Sequence, residues 1–393
     1  MSALAPAPEV EELRARVRAF VDERVIPAEP ALDRHDEEAA ALMRELQAEA
    51  KRDGLWALGL PREIGGGGLG FLPYCHVNEE IGRSEHAMLA LGTHSAQDAT
   101  MLHLFGTPEQ KERWLRPLVE GEIYPSIGMT EPDAPGSDPT QVKTTAVLDG
   151  DEWVINGRKW FITGANVAAF TTVFCVTDPD APPHRRCSLI IVPTDTPGYV
   201  IERVIPVLGE VGGAHCEIRL EDVRVPAENL LGERGRAFEI AQARLGPGRI
   251  YHCMRWLGQA QRAFDLMCER ALERQVAGGR LADMQLIQGF IADSAAEIHA
   301  ARLMTLDAAA KIDAGEDARV EISLIKFFGA KVLHDVIDRA IQVHGALGVS
   351  GDTPLEGMYR RARLARLYDG PDEIHRVSAA RRILRRYERR TTT

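Results

Sequence analysis

The 393-residue sequence has no apolar run long enough to cross a membrane, and its first residues lack the basic-then-apolar pattern of a secretory signal. The sequence also has fewer positive than negative residues: 47 Lys and Arg against 58 Asp and Glu, which gives a net charge of −11. This balance argues against general binding to nucleic acid or to an anionic membrane surface. We therefore expect a soluble, cytoplasmic protein with no membrane span and no nucleic-acid partner.

Two kinds of functional motif are also missing. The six cysteines show neither a C-x-x-C pair nor the spacing of zinc ligands, so we expect reduced, mostly buried thiols and no metal site. The stretch from Gly65 to Gly70 satisfies G-x-G-x-x-G, but no β-rich run precedes it and no βαβ unit follows it. A dinucleotide site needs that context, so the glycines predict a tight loop.

The first third of the chain has helical periodicity. Apolar residues recur at helical spacing from Val10 to Val21, and a second amphipathic stretch over residues 36–53 stops at a glycine. Residues 107–110, Thr-Pro-Glu-Gln, have the composition of a capping box with proline at the first helical position. The sequence predicts an N-terminal helical domain over residues 1–125, since the chain is too long for one core.

Near residue 126 the pattern changes to short β-rich runs separated by turns. Asp149-Gly150 and Asn156-Gly157 are dipeptides typical of hairpin turns, and they flank Trp153-Val154-Ile155. We predict further strands over residues 171–176, 188–192, 199–205 and 216–225. These features indicate a middle β-barrel or sandwich domain over residues 126–235.

From residue 236 the sequence is helical again. Four long segments combine an apolar stripe with a charged outer face, which is typical of a helix bundle. They cover residues 236–276, 281–313, 318–344 and 371–388. The expected fold class is α+β and multi-domain: a helical domain, a β domain, and a C-terminal four-helix bundle over residues 236–393, with the chemistry where they meet.

One acidic residue stands in a setting that suits a ligand site. Asp369 lies between Tyr368, which can wall a pocket, and Gly370, which lets the backbone approach a ligand. Pro371 then begins a helix whose free N–H groups favour negative charge. We identify Asp369 as the candidate catalytic base, although these residues alone also fit an Asp-Gly turn before a capped helix.

A second informative stretch lies at the start of the β domain. Thr130 and Ser137 belong to a Pro- and Gly-rich loop whose amides could hydrogen-bond a flat heteroaromatic ring or a phosphate. The strand that follows ends with Phe161 and Thr163, which supply an aromatic ring and another hydroxyl. Taken alone, the loop is equally compatible with a purely structural role.

Five ordered motifs together carry a family resemblance that spans residues 10 to 388. They are T-E-P…G-S-D at 130–138, I-N-G-R-K-W-F-I-T-G at 155–164, A-L-E-R at 271–274, I-Q-V-H-G-A-L-G at 341–348 and L-Y-D-G-P-D-E-I-H-R at 367–376. In this order they resemble the acyl-CoA dehydrogenase family. R-L-G-P-G-R-I at 244–250 and H-C-M-R at 252–255 are most similar to the branch numbered ten and eleven in mammals.

The resemblance implies FAD as cofactor, held between the β domain and the bundle, with an acyl-CoA thioester between the flavin and the base. The implied flavin contacts are Met129, Thr130, Phe161 and Thr163, with Ser137 at the junction of flavin and pantetheine. Four residues would reach the adenine and pyrophosphate half of FAD across a subunit interface, which implies a homodimer or homotetramer: Arg274, Gln285, Gln342 and Gly345. The implied substrate contacts are Ser137, Arg249, Tyr368 and Gly370.

The sequence also departs from the family pattern. Asp369 replaces the usual glutamate base, Pro371 replaces a common FAD-binding threonine, and Phe161 stands where many members have tryptophan. Ala277 and Ala346 replace a common phenylalanine and a common glycine. Some relatives place the base on the bundle helix, but Gly248 occupies that position here, so Asp369 has no evident rival.

The implied reaction removes an α-proton with a carboxylate protected from water, while the β-hydrogen leaves as hydride to the flavin. A backbone N–H near residues 369–370 would stabilise the developing enolate. The product would be a trans-2-enoyl-CoA, the electron acceptor an electron-transferring flavoprotein, and the branch resemblance hints at branched or hydroxylated acyl chains.

Three other functions remain open from sequence. A flavin oxidase of the nitroalkane oxidase type also uses aspartate as base. A DNA-binding member of the alkylation-response type would use the basic stretch 381–386, against which the acidic total and the retained Asp369 count. A non-catalytic thioester-binding scaffold would not need both the flavin positions and the base. We interpret His184, His252 and His344 as packing or surface residues.

Overall fold

The computed structural model describes residues 4–208, 214–276 and 278–391. Ala277, one of the departures noted above, lies outside the described residues. The chain divides into two compact units, of which the first contains residues 1–59, 67–93 and 246–393 and the second contains residues 60–66 and 94–245. The order along the chain is helices, a sheet and helices again, which confirms the predicted fold class.

The N-terminal helices start and stop where local chemistry predicts. Asp36 caps α3 by accepting a hydrogen bond from the N–H of Ala39 at 2.8 Å. The predicted capping box at Thr107 is present, with both of its hydrogen bonds to Gln110 formed. The helices are α1 Pro8–Phe20, α2 Ile26–Leu32, α3 Glu37–Arg52, α4 Phe71–Ile81, α5 Ala87–Ala90, α6 Ala96–Phe105, α7 Pro108–Gln110 and α8 Arg116–Glu120.

Eight strands form one mixed sheet in the second unit. They are β1 Pro125–Gly128, β2 Thr145–Asp149, β3 Glu152–Thr163, β4 Phe170–Val176, β5 Cys187–Pro193, β6 Tyr199–Val204, β7 His215–Pro226 and β8 Leu230–Leu231. The order is β6-β7-β3-β2-β4-β5-β8, and β1 pairs in parallel with β4. The buried core against this sheet includes Trp153, Ile155, Ile190 and Ile218.

One predicted turn is wrong. The Asp149-Gly150 turn joins β2 to β3 as expected, but Asn156-Gly157 lies inside β3 at a β-bulge, and the strand continues to Thr163. The side-chain amide of Asn156 donates to Asp222 at 3.0 Å and accepts from its backbone N–H at 2.9 Å. A Cβ at position 157 would come within 2.7 Å of Cα of Thr144, so close strand contact explains this glycine.

The C-terminal part supplies the four predicted long helices, together with one shorter helix that the periodicity did not predict. They are α9 Ala237–Glu273, α10 Gln285–Asp313, α11 Arg319–His344, α12 Leu355–Leu364 and α13 Asp372–Thr391, of which α12 is the addition. Within the first unit their buried core includes Met254, Ala263, Ala308 and Leu333. The short α12 matters because the candidate base follows it directly.

Two smaller predictions are confirmed. All six cysteines are free thiols, and five of them are buried. Residues 65–70 form a turn and an irregular segment rather than strand or helix, with Gly65 at φ +95° and Gly68 at φ +74°. Over the described part of the chain, none of the helices combines the length and hydropathy that a membrane crossing requires.

Candidate active site

The candidate base lies on a short connection between α12 and α13. Asp369 has φ +54° and Gly370 has φ +99°, so the backbone is left-handed at two consecutive residues. Few non-glycine residues adopt this conformation, and Asp is among the types that tolerate it best. The connection therefore turns sharply at the residue whose side chain is the candidate base.

Two side chains from different helices hold the backbone carbonyl of Asp369. Nε of Arg249, on α9, donates to this oxygen at 2.9 Å, and Nε2 of His375, on α13, lies 3.1 Å from it. A carbonyl only accepts, so His375 must carry its proton on Nε2. Burial lowers the pKa of His375 to about 4, despite the bond to Asp369, and also lowers the pKa of Arg249.

Gly370 is fixed by the same contact. A Cβ at this position would come within 2.8 Å of Nε2 of His375, so a larger residue would displace the ring that binds the neighbouring carbonyl. The sequence predicted close approach to a ligand at this glycine. In the structure the group that approaches it is a histidine of the same chain.

The carboxylate of Asp369 faces a histidine that sequence reasoning treated as packing. Nε2 of His252, on α9, lies 3.1 Å from Oδ2 of Asp369, and both side chains are about one-fifth exposed. Burial lowers the pKa of His252, while the neighbouring carboxylate acts in the opposite direction. The base thus has a defined polar neighbour on one oxygen.

Aromatic rings surround this pair. The hydroxyl of Tyr368 accepts a hydrogen bond from Nε1 of Trp256 at 2.7 Å. The ring of His252 meets that of Tyr368 edge to face, with 5.1 Å between centroids, and stacks at 6.2 Å from Trp256. Tyr368 therefore forms a wall beside the base, which is the role that its position in the sequence predicted.

A fully buried lysine supports the connection. Nζ of Lys326, on α11, donates to the carbonyls of Ala365 at 2.7 Å and Gly370 at 3.3 Å. The ammonium also lies 5.1 Å from the ring centroid of Trp256 and 5.3 Å from that of Tyr368. Burial lowers the pKa of Lys326. The loop is thus anchored through its carbonyls by three side chains, from α9, α11 and α13.

A small cavity opens beside these residues within the first unit. It has a volume of about 110 Å³ and a lining that mixes rings with charged and amide side chains. The lining includes His252, Arg255, Trp256, Tyr368, Glu85, Gln259 and Arg361.

The second unit holds the residues expected to contact the flavin. The hydroxyl of Thr130 donates to the carbonyl of Trp160 at 2.5 Å, and the N–H of Trp160 donates back to the carbonyl of Thr130 at 3.1 Å. Because its proton is committed, this hydroxyl can offer a ligand only lone pairs. The carbonyl of Met129 accepts from Nζ of Lys159 at 3.1 Å, which fixes the start of the loop.

Phe161, like Asp369, is a non-glycine candidate site residue with a left-handed backbone, at φ +52°. It lies where the pairing of β3 with β7 shifts register, and 45% of the residue is exposed. Its ring packs edge to face on Trp160 at 5.0 Å. The bulge therefore turns an aromatic ring outwards, beside the exposed Thr163, whose hydroxyl lies 3.1 Å from Nδ1 of His215.

The remaining predicted residues are exposed. Ser137 belongs to the same loop as Thr130, because a Cβ on the preceding Gly136 would lie 3.3 Å from Cγ2 of Thr130. The four residues expected at a subunit interface are all exposed: Arg274 after α9, Gln285 at the start of α10, Gln342 near the end of α11, and Gly345 after it. Near them Leu286 is 81% exposed. The structure contains one chain, so these four positions remain predictions.

The structure brings Asp369, Tyr368, Gly370 and Arg249 together, and it adds three further residues that sequence reasoning did not assign to the site. His252, Lys326 and His375 all contact this connection, and all were assigned either to packing or to no role. The contacts of His252 and Lys326 join positions far apart in sequence. A usable signal did exist for His375, because it lies one helical turn after Pro371 in the same motif.

Comparison with known proteins identifies the family. The N-terminal, middle and C-terminal domain models of acyl-CoA dehydrogenase match residues 7–122, 126–223 and 235–384. The protein named probable acyl-CoA dehydrogenase FadE2, from Mycobacterium tuberculosis, is 45% identical over 95% of this chain and 95% of its own length. Acyl-CoA dehydrogenase family member 10 from Mus musculus is 40% identical over 98% of this chain, which spans 38% of that protein.

Solved structures agree. A proposed acyl-CoA dehydrogenase from Mycobacterium abscessus superposes with a TM-score of 0.92 at 40% identity, covering 98% of this chain and all of that one. An acyl-CoA dehydrogenase from Bacillus anthracis, complexed with FAD, has a TM-score of 0.86 at 29% identity over 99% of this chain and 69% of its own. A structure described as the electron transferring flavoprotein of Acidaminococcus fermentans superposes with a TM-score of 0.87 at 29% identity, covering 98% of this chain and all of that one.

The chain belongs to the acyl-CoA dehydrogenase family, which is a family of FAD-dependent oxidoreductases. Its resemblance to family members 10 and 11 is confirmed by the relatives found. The chain spans about half or less of the length of those two relatives.

Proposed function

We propose that the chain is an FAD-dependent acyl-CoA dehydrogenase in which Asp369 removes the α-proton of the thioester and the product is a trans-2-enoyl-CoA. The observation that carries the proposal is the anchoring of Asp369. Its carbonyl is held by Arg249 and His375, while its partly exposed carboxylate faces His252. A carboxylate on a fixed connection supports this role, because a general base must be held in position relative to the proton that it removes.

The chain's own residues account for binding and proton transfer. The bond from the α-carbon to hydrogen breaks as an oxygen of Asp369 takes the proton, and Tyr368 limits the access of water from one side. A backbone N–H in the 369–370 segment would donate to the thioester carbonyl as negative charge develops there. The main role of Arg249 is to hold the loop in place, because its Nε donates a hydrogen bond to the carbonyl of Asp369.

The residues of the second unit fit a flat heteroaromatic cofactor. Phe161 offers an exposed ring, Thr163 and Ser137 are exposed hydroxyl residues, and Thr130 offers lone pairs. These residues and Met129 would hold the isoalloxazine ring of FAD. When bound there, FAD would accept the hydrogen lost from the β-carbon.

We further propose a homodimer or homotetramer in which Arg274, Gln285, Gln342 and Gly345 reach FAD bound mainly by another subunit. Their common exposure supports this arrangement. We expect the protein to purify yellow, with one FAD per chain and at least two chains per particle by light scattering. A stable monomer that retains full FAD would contradict this assignment.

The electron acceptor that fits this activity is an electron-transferring flavoprotein. The structural similarity to the Acidaminococcus fermentans protein supports such a partner. The reduced enzyme should pass electrons to an electron-transferring flavoprotein rather than to NAD, whose binding motif lacks its βαβ context here. Fast peroxide formation in air would instead favour a flavin oxidase, the alternative that the aspartate base keeps open.

For the substrate, we propose acyl-CoA thioesters, with branched or hydroxylated acyl chains preferred. The mixed lining of the 110 Å³ cavity, with Glu85, Gln259 and Arg361 on one part of it, supports a chain that carries a polar group. The test is an anaerobic titration of the purified protein with straight, branched and hydroxylated acyl-CoAs, monitored by bleaching of the flavin absorbance. Absence of bleaching by every thioester would refute the proposed function.

A further inference from the structure

A chain of three polar side chains leads from the interior of the helical unit to the candidate base. Arg255 and His252 lie three residues apart on α9, which places them on the same helix face. Nη2 of Arg255 lies 2.8 Å from Nδ1 of His252, and Nε2 of the same imidazole lies 3.1 Å from Oδ2 of Asp369. Each ring nitrogen of His252 therefore has one defined neighbour.

These two contacts determine the protonation state of the imidazole. A guanidinium only donates hydrogen bonds, so Nδ1 of His252 must accept and cannot carry a proton. A neutral imidazole without a proton on Nδ1 carries it on Nε2, the nitrogen that faces the carboxylate of Asp369. The contact is then between a neutral N–H group and a carboxylate rather than between two opposite charges.

The other charged groups around His252 come from several elements. Lys326 from α11 and Arg255 from α9 both lower the pKa of His252 after the main effect of burial, while Asp369 raises it. Glu85, after α4, and Arg361, on α12, line the same cavity as His252 and interact with each other at 3.8 Å. Tyr368 contacts the ring edge to face. The cations nearest the imidazole favour its neutral form.

We propose that Arg255 and His252 act together as positioning residues for Asp369: Arg255 keeps Nδ1 of His252 unprotonated, and the neutral imidazole keeps Nε2 in polar contact with Oδ2 of the carboxylate, at 3.1 Å. The catalytic part of this inference, that the two residues position a base, rests on the proposed function. The assignment of the His252 tautomer does not. Oδ2 is the carboxylate oxygen that faces the imidazole.

The arrangement solves a problem for an aspartate base. An imidazolium beside the carboxylate would stabilise its charged form and weaken it as a base. A neutral N–H group orients the carboxylate with a smaller effect of that kind. The arginine behind the histidine thus allows a close polar contact with the base, at 3.1 Å, without a full ion pair.

The first part of the test removes the imidazole. His252→Leu should lower the rate of flavin reduction by acyl-CoA about 10- to 100-fold, because a misplaced reacting group costs this much. His252→Gln should recover most of the rate, since its amide can accept from Arg255 and donate to Asp369. FAD content and thermal unfolding of each variant show whether it is folded. Equal rates in the Gln and Leu variants would overturn the positioning role.

The second part removes the arginine. In Arg255→Leu the pKa of His252 should rise towards the ordinary value of about 6.5, so an imidazolium forms beside Asp369 as pH falls. Flavin reduction should then gain an acid limb below about pH 7 that the parent protein lacks. Arg363→Leu removes an equal charge from an exposed position on α12 and should leave the profile unchanged. A parent and an Arg255→Leu profile of the same shape would contradict the inference.

A spectroscopic measurement separates this inference from the proposed function. With ¹⁵N-labelled histidine in the FAD-bound protein, the signal lost in His252→Gln identifies His252. It should show the neutral tautomer protonated on Nε2 at pH 7, and titrate at higher pH in Arg255→Leu. Protonation on Nδ1, or on both nitrogens at pH 7, would overturn the inference even if the enzyme is active. If no acyl-CoA reduces the flavin, the proposed function fails while this result still stands.

Discussion

Two buried lysines, one in each unit of the chain, hold the two loops that carry the candidate site residues. In the sheet unit, Nζ of Lys159 donates to the carbonyls of Met129 at 3.1 Å and Phe174 at 2.7 Å, and to the carboxylate of Glu131 at 2.8 Å. In the helical unit, Nζ of Lys326 donates to the carbonyls of Ala365 and Gly370. Both lysines are fully buried.

The difference is in how the charge is balanced. Glu131 forms a close ion pair with Lys159 and also accepts the backbone N–H groups of Lys143 at 2.6 Å and Thr144 at 2.9 Å. Although burial raises the pKa of Glu131, these partners lower it overall. Lys326 donates to carbonyls and faces two aromatic rings, and its pKa is lowered by burial. The loop that carries Met129 and Thr130 thus has a support whose charge is neutralised, whereas the connection that carries Asp369 is supported by a cation that adds to the electrostatic field around this carboxylate.

The largest expected effect is on the rate of flavin reduction, when the candidate base is replaced. Asp369→Asn keeps the shape of the side chain but removes the basic oxygen, so flavin reduction should fall about 10²- to 10⁴-fold. FAD content and thioester affinity should persist, because the loop is anchored through backbone carbonyls. Stopped-flow reduction under anaerobic conditions measures the rate. Unchanged reduction would show that another group, such as Glu373, takes the proton.

Breaking the neutralised pair should cost the most stability. Glu131→Gln leaves the buried ammonium of Lys159 without a carboxylate, and we expect the free energy of unfolding to fall by about 3–5 kcal/mol. Denaturant unfolding measures this loss. Glu112→Gln is the control, because its ion pair with Arg116 is exposed on both sides, and it should change stability by about 0.5 kcal/mol or less.

A double variant sharpens the comparison. Glu131→Gln combined with Lys159→Met removes both charges, so part of the stability lost in the single variant should return. If the double variant loses the sum of both single effects, the pair is not acting as a coupled unit.

Lys326→Met should have a smaller effect, because the lost partners are carbonyls and not a carboxylate. Two carbonyls lose a donor, and we expect a loss of about 1–3 kcal/mol. The folded-state pKa of Lys326 lies below its unfolded value, so the parent's stability should rise with pH over the range in which the folded lysine has lost its proton and the unfolded lysine still holds one, and the variant should lack that rise. Urea unfolding at pH 8 and pH 10 tests both expectations. If Lys326→Met lowered the free energy of unfolding as much as Glu131→Gln does, the proposed difference between the two buried lysines would be wrong.

A further stability effect appears in acid. His375 has a pKa of about 4 in the folded protein and an ordinary value of 6.5, so its contribution is complete above pH 6.5 and is lost as pH falls towards 4. The shift corresponds to about 3 kcal/mol at most over that window. His375→Gln keeps an N–H for the carbonyl of Asp369 but does not titrate, so its stability should fall less steeply. Parallel pH curves would refute the assignment.

The two regions also differ in how far the sequence predicted them. Helical periodicity located the four long C-terminal helices, and turn chemistry located the hairpin at Asp149-Gly150, because both signals are local. The same turn chemistry failed at Asn156-Gly157, where pairing with Asp222 and close packing on Thr144 keep the dipeptide inside a strand. Local preference is overridden where neighbouring strands satisfy the same groups.

At the site, the family motifs placed Asp369 and Phe161, but the supporting residues depend on packing. His252 and Asp369 are neighbours only because α9 passes the connection between α12 and α13. The i, i+3 spacing of His252 and Arg255 was readable from the sequence, yet nothing local showed what this helix face meets. Such contacts follow from tertiary structure and not from composition.

The left-handed backbone at position 369 gives a physical reason for the short acid at this position. Aspartate is among the few residues other than glycine that this conformation accepts readily, and glutamate is not. At φ +54° the loop therefore favours an acid whose carboxylate is separated from the backbone by a single methylene. Asp369→Glu should bind FAD normally yet reduce the flavin about tenfold more slowly, because the longer acid meets both an unfavourable backbone and a site built for a nearer oxygen.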